Sequence, residues 1–304
     1  MAYTKGAKKS RTAPEYLTKV TAVERFNESV EKPGLLRQLP TAHVLSIGNQ
    51  WFVIHQNAIA GREGSISGPF GFWKSIGRYV KKDEEGMFVL TPIPFEVERK
   101  DQFGNVMRDA NGKVIMDTRV SFKLKPTRYD LSQTDGPDVE FPEVPFDLGA
   151  LLCTLEIELV PFTMDDNACG GYCYGTDDGD FLAINPLYPD PLGVLFHECA
   201  HIVLGHTQES RNVWVSDEDR TPRDLRELGA EGTNLILQST LGNTEAEAYS
   251  RGYIQNWNQV GKYTEMPERL AEDVFAAGNI IYRAGLGLLK DTDRIRLRKP
   301  KKAE

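Results

Sequence analysis

The spacing of hydrophobic residues changes from helical to strand-like along the first half of the chain. Between residues 14 and 40, apolar side chains recur every three or four positions and predict a helix with one apolar face. The segment 42–56 is more continuously hydrophobic, and its pattern fits either a helix or a strand. Segments 87–97 and 120–129 predict strands, and the polar segment 99–118, with its Asn-Gly pair, predicts a projecting hairpin between them.

The second half begins with short strand-like segments and continues with longer helical patterns. Segments 155–160 and 180–186 predict strands, and the second leads into an apolar helical pattern after Asp190-Pro191. Gly205 is placed to end that helix. Three further helices are predicted, at 224–237, 244–260 and 267–289. Together these elements predict an α+β fold.

The apolar helix carries an HExxH motif, His197-Glu198-Cys199-Ala200-His201. Residues four apart lie one turn apart on the same helix face, so both imidazoles can bind one metal ion. The glutamate between them can deprotonate an attacking water. The chain holds only five histidines, so this spacing is improbable by chance, and a metal-free core helix would bury these groups at high cost. The motif predicts a zinc metalloendopeptidase with one Zn²⁺ per chain and Glu198 as its catalytic residue.

A catalytic zinc needs a third protein ligand in addition to His197 and His201. The predicted helix 224–237 carries Glu227 and Glu231, which are again four residues apart. One carboxylate can bind the metal while the carboxylate one turn later orients a ligand imidazole. We therefore assign Glu227 as the third ligand and Glu231 as the residue behind it, with Glu231 as the alternative ligand.

Other third ligands fit the sequence less well. The metzincin pattern requires a histidine ten residues after the first, where this chain has Thr207, and His206 lies one position too early. Glu245 and Glu247 resemble the acidic first turn of the following helix. A solvated acidic face is the competing interpretation of the helix 224–237.

The strand 180–186 leads directly into the motif helix. We expect it to form an edge of the sheet over the cleft, where an extended substrate backbone can pair with it. Its Phe181, Ala183 and Asn185 are the predicted substrate-binding residues. The partner expected for this half is a protein substrate.

Composition limits the cellular setting. The 304 residues are 40% hydrophobic, which is enough for a substantial core in one or two domains. No apolar run approaches the length of a membrane span, so no membrane partner is expected, and the N-terminus lacks the hydrophobic region of a secretion signal. The four cysteines do not suggest a disulfide framework, and Cys169 and Cys173 fit free thiols better than a metal site. We expect a cytoplasmic protein.

The net charge of −8 conceals an asymmetry between the two halves. Residues 1–128 contain 21 Lys and Arg against 13 Asp and Glu, whereas residues 129–304 contain 15 against 31. A basic half suits a phosphate backbone, and an acidic half would repel one. Part of the basic charge lies at the ends, in a leader at 1–14 that we expect to be disordered and a tail at 291–304.

Basic and aromatic residues are interleaved in the first half, a composition with which single-strand binders hold phosphates and stack on bases. The candidate DNA-binding residues are Trp73, Lys74, Arg78, Lys81, Lys82, Lys123, Lys125 and Arg128. The competing interpretation is structural, because lysines protect strand edges from aggregation and aromatic side chains at helical spacing usually lie in the core.

Eight segments between residues 40 and 285 occur in an order typical of one family. In the first half they are AHVLSIGNQWFVIHQ, GPFGFWKSIGRYVKKDEEGMFVLTPI and VSFKLKPTRYDLSQTDG. In the second half they are FLAINP, LFHECAHIVLGH, ELGAE, AYSRGYIQNW and AEDVFAAGNIIYRAG. Together these segments resemble the ArdC-type antirestriction proteins.

The resemblance implies a particular α+β architecture. A small mixed domain that binds single-stranded DNA, at 15–138, would be followed by a linker at 139–147. A zincin-like metallopeptidase domain related to the ImmA/IrrE peptidases, at 148–290, would contain a short sheet, the HExxH helix and C-terminal helices. Single-stranded DNA and a protein are therefore the partners that the resemblance implies.

The resemblance also implies roles for individual residues. The implied ligands are His197, His201 and Glu227, and the implied acid/base is Glu198. Several positions depart from the family pattern. Cys199 stands where a leucine is usual, one extra residue precedes Gly205-His206, Asp83-Glu84-Glu85 replaces a Lys-Gly-Glu run, and the segment 99–118 resembles an insertion.

Three functions remain open from the sequence. The first is a zinc peptidase fused to a DNA-binding domain in an antirestriction-type protein of a phage or mobile element. The second is an antirestriction protein that shields DNA passively and uses zinc for structure or regulation. The third is a peptidase that regulates a repressor, which shares the chemistry of the first and changes only the target.

Overall fold

The structure is a computed structural model that describes residues 11–37, 45–63, 66–141, 144–164, 169–211, 221–243, 245–248, 250–252, 254 and 266–289. It divides into two compact units, Met1–Lys19 with His55–Asp138 and Val20–Ile54 with Val139–Glu304. One division between the units follows residue 138. The segment 20–54 belongs to the second unit and not to the first. The tail 291–304 and residues 1–10 of the leader lie outside the described residues.

Helix α2 (Ala22–Glu31) gives the physical reason for the placement of the segment 20–54. Its first two backbone amides donate to the carboxylate of Glu268, at 2.6 and 3.0 Å. The buried ring of Phe26 packs against Gly232, where an added Cβ would lie only 3.1 Å from the ring. Both contacts reach helices far along the chain, which no local pattern reports.

The first unit contains helix α1, the end of helix α3, helix α4 and five strands. Their bounds are α1 Glu15–Thr18, α3 Ile47–Ile59, β1 Ser67–Gly68, α4 Phe70–Ser75, β2 Tyr79–Val80, β3 Met87–Glu98, β4 Met116–Asp130 and β5 Thr134–Asp135. β3 pairs with β4, β1 pairs with the end of β4, and β2 pairs with β5, all antiparallel. The ambiguous segment 42–56 is a helix from Ile47 onward, and Ile47 and Trp51, one helical turn apart, are both buried.

The side chain of Gln56 joins α3 to the beginning of β3. Its amide accepts from the backbone N–H of Phe88 and donates to the carbonyl of the same residue, both at 2.8 Å. Gln56 thus satisfies backbone groups that a neighbouring strand would otherwise have to pair. Asp130 then ends β4 by accepting from Ser132 N at 2.9 Å, which starts the short 3-10 turn that follows.

β3 and β4 continue as a two-stranded ribbon that is exposed on both faces. Phe95 on one face and Phe122 on the other are 44% and 42% exposed. The predicted hairpin at 99–118 is confirmed, and it closes through two successive turns. In these turns Asp101 and Asp109 each accept hydrogen bonds from two backbone amides at 2.9–3.0 Å. Side-chain hydrogen bonds to the backbone therefore shape this tip, since the ribbon itself buries little.

The second unit combines helices with a three-stranded sheet. Besides α2 and the start of α3, its elements are α5 Leu148–Leu155, β6 Ile157–Leu159, β7 Gly171–Thr176, β8 Gly179–Ile184, α6 Pro191–Val203, α7 His206–Arg211, α8 Arg223–Leu241 and α9 Glu268–Gly285. The sheet order is β6-β8-β7, with β6 parallel and β7 antiparallel to β8. This mixed sheet covered by helices is an α+β fold.

Most elements predicted for this unit occur near their expected positions. The strand expected at 155–160 is shorter, because a helix capped by Asp147, which accepts from Ala150 N at 2.6 Å, precedes it. The helix predicted at 244–260 lies partly outside the described residues, and 245–248 and 250–252 are helical. In the described part of the chain, no helix combines the length and apolarity that crossing a bilayer requires.

Candidate metal centre

Helix α6 begins and ends at the residues that the sequence indicated. Asp190 caps it by accepting from Gly193 N at 2.9 Å, and Gly205 follows it with a φ of +85°. One face of the helix is fully buried, through Leu195, Phe196, Cys199 and Ala200. The half-buried face carries the motif histidines, whose Nε2 atoms lie 3.1 Å apart.

Glu227 from helix α8 completes a group of three candidate ligands with His197 and His201. Its Oε2 atom lies 3.4 Å from His197 Nε2 and 3.7 Å from His201 Nε2. Ligand atoms arranged tetrahedrally around zinc are about 3.4 Å apart at ordinary bond lengths. The structure therefore brings together the three predicted ligand side chains, at distances that suit one divalent ion.

The donor set and the electrostatics both fit a divalent cation. Two imidazoles and one carboxylate are a set that catalytic zinc uses, and three protein ligands leave a fourth position for the reaction. Burial alone would lower the pKa of His197, but hydrogen bonds to Glu227 and Glu231 outweigh it and raise that pKa to about 10. The hydrogen bonds from His197 and His201 hold the pKa of Glu227 far below its usual range. The ionised carboxylates at this site therefore stabilise a positive charge placed between them.

Glu231 lies behind His197, as the spacing on the second helix suggested. Its Oε2 atom is 2.9 Å from His197 Nδ1, so a proton on Nδ1 leaves the Nε2 lone pair directed at the metal position. Glu231 is itself held by Asn234 Nδ2, which donates to Oε1 at 3.3 Å and to Ser250 Oγ at 2.9 Å. Burial opposes ionisation of Glu231, but its contacts with His197, Ser250 and Asn234 lower its pKa.

His206 holds the second imidazole in the same way. His206 Nδ1 lies 2.8 Å from His201 Nδ1, so one nitrogen donates and the other accepts. Burial, together with the charges of His201 and Arg226, lowers the pKa of His206 to about 3, so it is neutral and can accept. The next residue, Thr207, donates to the Asp180 carboxylate at 2.8 Å and ties this turn to β8.

Glu198 lies between the ligands and strand β7. A Cβ added to Gly171 would lie 3.6 Å from Glu198 Cγ and only 2.7 Å from a carbonyl oxygen of β8, so only glycine allows this approach. Cys173, two residues along β7, also hydrogen-bonds Glu198. Burial first, and then the charge of Glu198, raises the pKa of that thiol, so it stays protonated. The start of β7 therefore borders the expected catalytic carboxylate.

The expectation that 180–186 is an edge strand is wrong. β8 is the central strand, with β6 on one side and β7 on the other, so it offers no free edge to a substrate backbone. Phe181 stacks on Tyr174 with ring centroids 5.2 Å apart, Ala183 is fully buried, and the Asn185 amide is bonded to loop backbone atoms. An alternating pattern shows that a segment is a strand but does not show which neighbours it has.

The predicted DNA-binding roles of Trp73 and Arg78 are also wrong. Trp73 is 0% exposed, and its indole N–H points to the carbonyls of Gly68 and Tyr129, both at 3.1 Å. Arg78 is buried, and its guanidinium donates to the Thr134 side chain and to backbone carbonyls nearby. Both side chains hold the first unit together and cannot reach a nucleic acid.

The lysines among the predicted DNA-binding residues have accessible positions. Lys74, Lys82, Lys123 and Lys125 are exposed, and the ammonium of Lys81 donates to the Ser132 carbonyl at 2.9 Å. Arg128 is partly buried, which lowers its pKa. Lys123 and Lys125 alternate along β4 and therefore share one face of the ribbon.

Three site residues had no role in the sequence prediction. His206 was considered only as a ligand and not as a partner of His201. Asn234 lies three residues after Glu231 in a predicted helix. Residues three apart are neighbours on one helix face, so the sequence could have indicated this contact. Cys173 was expected only to be a free thiol, because its approach to Glu198 depends on how β7 crosses α6.

No family model matches the chain, and no curated protein matches it significantly. Among solved structures, the chain is similar to the antirestriction protein ArdC from the R388 plasmid. The metal-free crystal structure has a TM-score of 0.42 and 16% identity, covering 88% of this chain and 99% of that chain. The Mn(II)-bound structure has a TM-score of 0.43 and 18% identity, covering 90% and 98%.

We expect purified protein supplied with zinc to hold about one ion per chain, and His201→Ala and Glu227→Ala to lose it, because two remaining ligands bind weakly. Inductively coupled plasma mass spectrometry after gel filtration measures the content. Glu245→Ala, which removes an exposed carboxylate from the same unit, is the control and should retain the ion. If Glu227→Ala still holds one zinc ion per chain, another acidic residue is the third ligand, and Glu231 is the first alternative.

Replacing His206 with leucine should lower zinc affinity about 10- to 100-fold, as is typical when a residue that orients a ligand is lost. A competition titration with a chelating dye gives the affinity, and circular dichroism shows that the helices persist. Gln208→Leu, on the exposed side of the same short helix, is the matched control. Equal affinity in wild type and His206→Leu would contradict the orienting role.

Proposed function

We propose that this protein is a zinc-dependent endopeptidase joined to a unit that binds single-stranded DNA. The observation that carries the peptidase is the approach of His197 Nε2, His201 Nε2 and Glu227 Oε2 to within 3.1–3.7 Å of one another beside Glu198. A zinc ion bound by these residues would act as a Lewis acid and lower the pKa of a water molecule.

Glu198 is the general base in this proposal. Its carboxylate takes a proton from the attacking water and returns it to the leaving amine. Its position against Gly171 places it between the ligands and β7. Within the described residues no strand pairs with the outer edge of β7. An extended substrate backbone that pairs there would pass Glu198 with one of its peptide carbonyls.

Glu231 and His206 support this reaction by holding the ligand imidazoles. Each accepts from the Nδ1–H of one histidine, at 2.9 and 2.8 Å. This fixes the tautomer with the lone pair on Nε2, so neither ring has to reorient when it binds the ion. The ligands are therefore pre-arranged, which reduces the free energy lost on binding.

Nucleic-acid binding is the second activity, and the ribbon supports it. Arg119, Lys123 and Lys125 are exposed and occupy one face of β4, where the register pairs them with Phe95, Thr91 and Val89 of β3. Alternate residues on a strand are about 6.8 Å apart, so Lys123 and Lys125 are separated by about that distance, and Arg119 lies about twice as far from Lys123 along the same face. Such a row can follow a phosphate backbone, and Phe95 offers a ring on which a base can stack.

The biological role that we propose is antirestriction in a phage or mobile element, following the sequence resemblance. Passive shielding of DNA, with zinc serving only structure or regulation, is the alternative. It predicts that antirestriction survives loss of Glu198 but not loss of the ribbon lysines. If proteolysis is part of the role, loss of Glu198 and loss of the ribbon lysines should each abolish antirestriction.

Glu198→Gln should keep its zinc and lower peptide hydrolysis about 10²- to 10⁴-fold, the usual contribution of a general acid–base residue. Cleavage of quenched fluorescent peptides by the zinc-loaded full chain measures this, with zinc content determined on the same samples. Glu245→Gln, an equivalent change at an exposed position, should hydrolyse peptides like the wild type. Undiminished turnover in pure Glu198→Gln protein would refute the assignment.

The double substitution Lys123→Gln/Lys125→Gln should weaken binding of a labelled single-stranded oligonucleotide and flatten its salt dependence. Two lost phosphate contacts reduce the slope of log K against log salt by about 1.4. Fluorescence anisotropy at several salt concentrations measures both. Lys100→Gln/Lys113→Gln removes the same charge from the tip and should leave the slope unchanged. If the tip variant loses as much affinity and salt dependence as the Lys123→Gln/Lys125→Gln variant, the DNA does not bind specifically along the row of charges on β4.

A further inference from the structure

The stretch of sequence that forms the sheet and helix α6 is rich in acidic and aromatic residues. Lys and Arg are absent between Arg128 and Arg211, and that stretch, which includes the whole sheet and the HExxH helix, carries 16 Asp and Glu. Its exposed carboxylates include Asp177 and Asp178 in the turn between β7 and β8, and Glu158 on β6. The carboxylates of this stretch would attract a positively charged partner.

The sheet face turned away from α6 carries a row of stacked rings. Tyr172 and Tyr174 alternate along β7 and stack with centroids 6.3 Å apart, and Tyr174 stacks on Phe181 of β8 at 5.2 Å. Tyr174 is 42% exposed although it is a large aromatic residue. Glu158 is aligned with Phe181 in the neighbouring strand, so a carboxylate adjoins the rings.

An extended chain paired with the outer edge of β7 would add a fourth strand to this sheet. Every second side chain of that strand would lie on the ring-bearing face, directly beside Tyr172 or Tyr174. Cations are attracted to the faces of tyrosine rings, and the nearby carboxylates add a longer-range attraction. The chemistry of this edge therefore matches arginine or lysine side chains.

We propose that β7 recognises a cationic protein segment, with an arginine or lysine of the substrate lying against Tyr174. This rests on the proposed peptidase function and specifies its substrate class. The recognition is made by the strand edge, the rings and the carboxylates of this sheet, and it does not involve the metal ligands.

Two measurements on the full-length zinc-loaded protein test the proposal. Binding of labelled extended peptides to Glu198→Gln is followed by anisotropy, using one sequence with arginine, glutamine or glutamate at alternate positions. Cleavage of the same peptides by the wild type gives kcat/KM. We expect the arginine peptide to bind and react at least about tenfold better than the glutamate peptide. Tyr174→Leu should reduce the advantage of arginine over glutamine about threefold.

Charge reversal at the turn, Asp177→Lys/Asp178→Lys, should also reduce the preference. Two reversals on α9, Glu272→Lys and Asp273→Lys, change the net charge equally and serve as the control. Peptides that bind or react without preference for arginine overturn the substrate class and leave the peptidase intact. If the α9 variant loses the preference for arginine to the same extent, the carboxylates beside β7 do not recognise the cationic segment, and the proposal is overturned. Cleavage of no peptide, with selective binding retained, overturns the peptidase function alone.

Discussion

The structure of the second unit depends on the contact between α6 and α8. Each helix carries two polar residues one turn apart, His197 and His201 on α6 and Glu227 and Glu231 on α8. Placing these groups at a helix interface costs free energy unless every one has a partner. The partners exist only when the two helices meet in one register. The polar pairs therefore specify how the helices pack, in addition to providing candidate ligands.

Other parts of the unit follow from that contact. Helix α8 buries a polar face with Asn234, Gln238 and Ser239, a composition that would destabilise a simple hydrophobic core. Asn234 satisfies Glu231 and reaches Ser250, so the network extends from the candidate metal position into the following helical segment. On the other side of α6, the glycine at 171 lets β7 approach Glu198. The side chains that determine how these helices pack are therefore also those proposed to hold the metal ion.

The first unit differs from the second, because its ribbon leaves Phe95 and Phe122 exposed on its two faces. Its body is held by specific hydrogen bonds, of which those from Arg78, Trp73 and Gln56 are the clearest. The ribbon beyond it is shaped by turns and cross-strand pairs, and exposed lysine and arginine side chains are of the kind that protects strands from pairing with other chains. The same lysine and arginine side chains form the row of charges to which nucleic acid is proposed to bind.

The sequence by itself determined what depends on local spacing. The HExxH helix, the Glu227/Glu231 pair, the hairpin and most helices follow from periodicity and capping residues, which are short-range properties of the chain. Only the tertiary structure decided what depends on neighbours distant in sequence. It placed 20–54 with the second unit, made β8 central and β7 the edge, and buried Trp73 and Arg78. It also paired His206 with His201. These outcomes are set by packing and hydrogen bonds between remote segments, which no window of sequence contains.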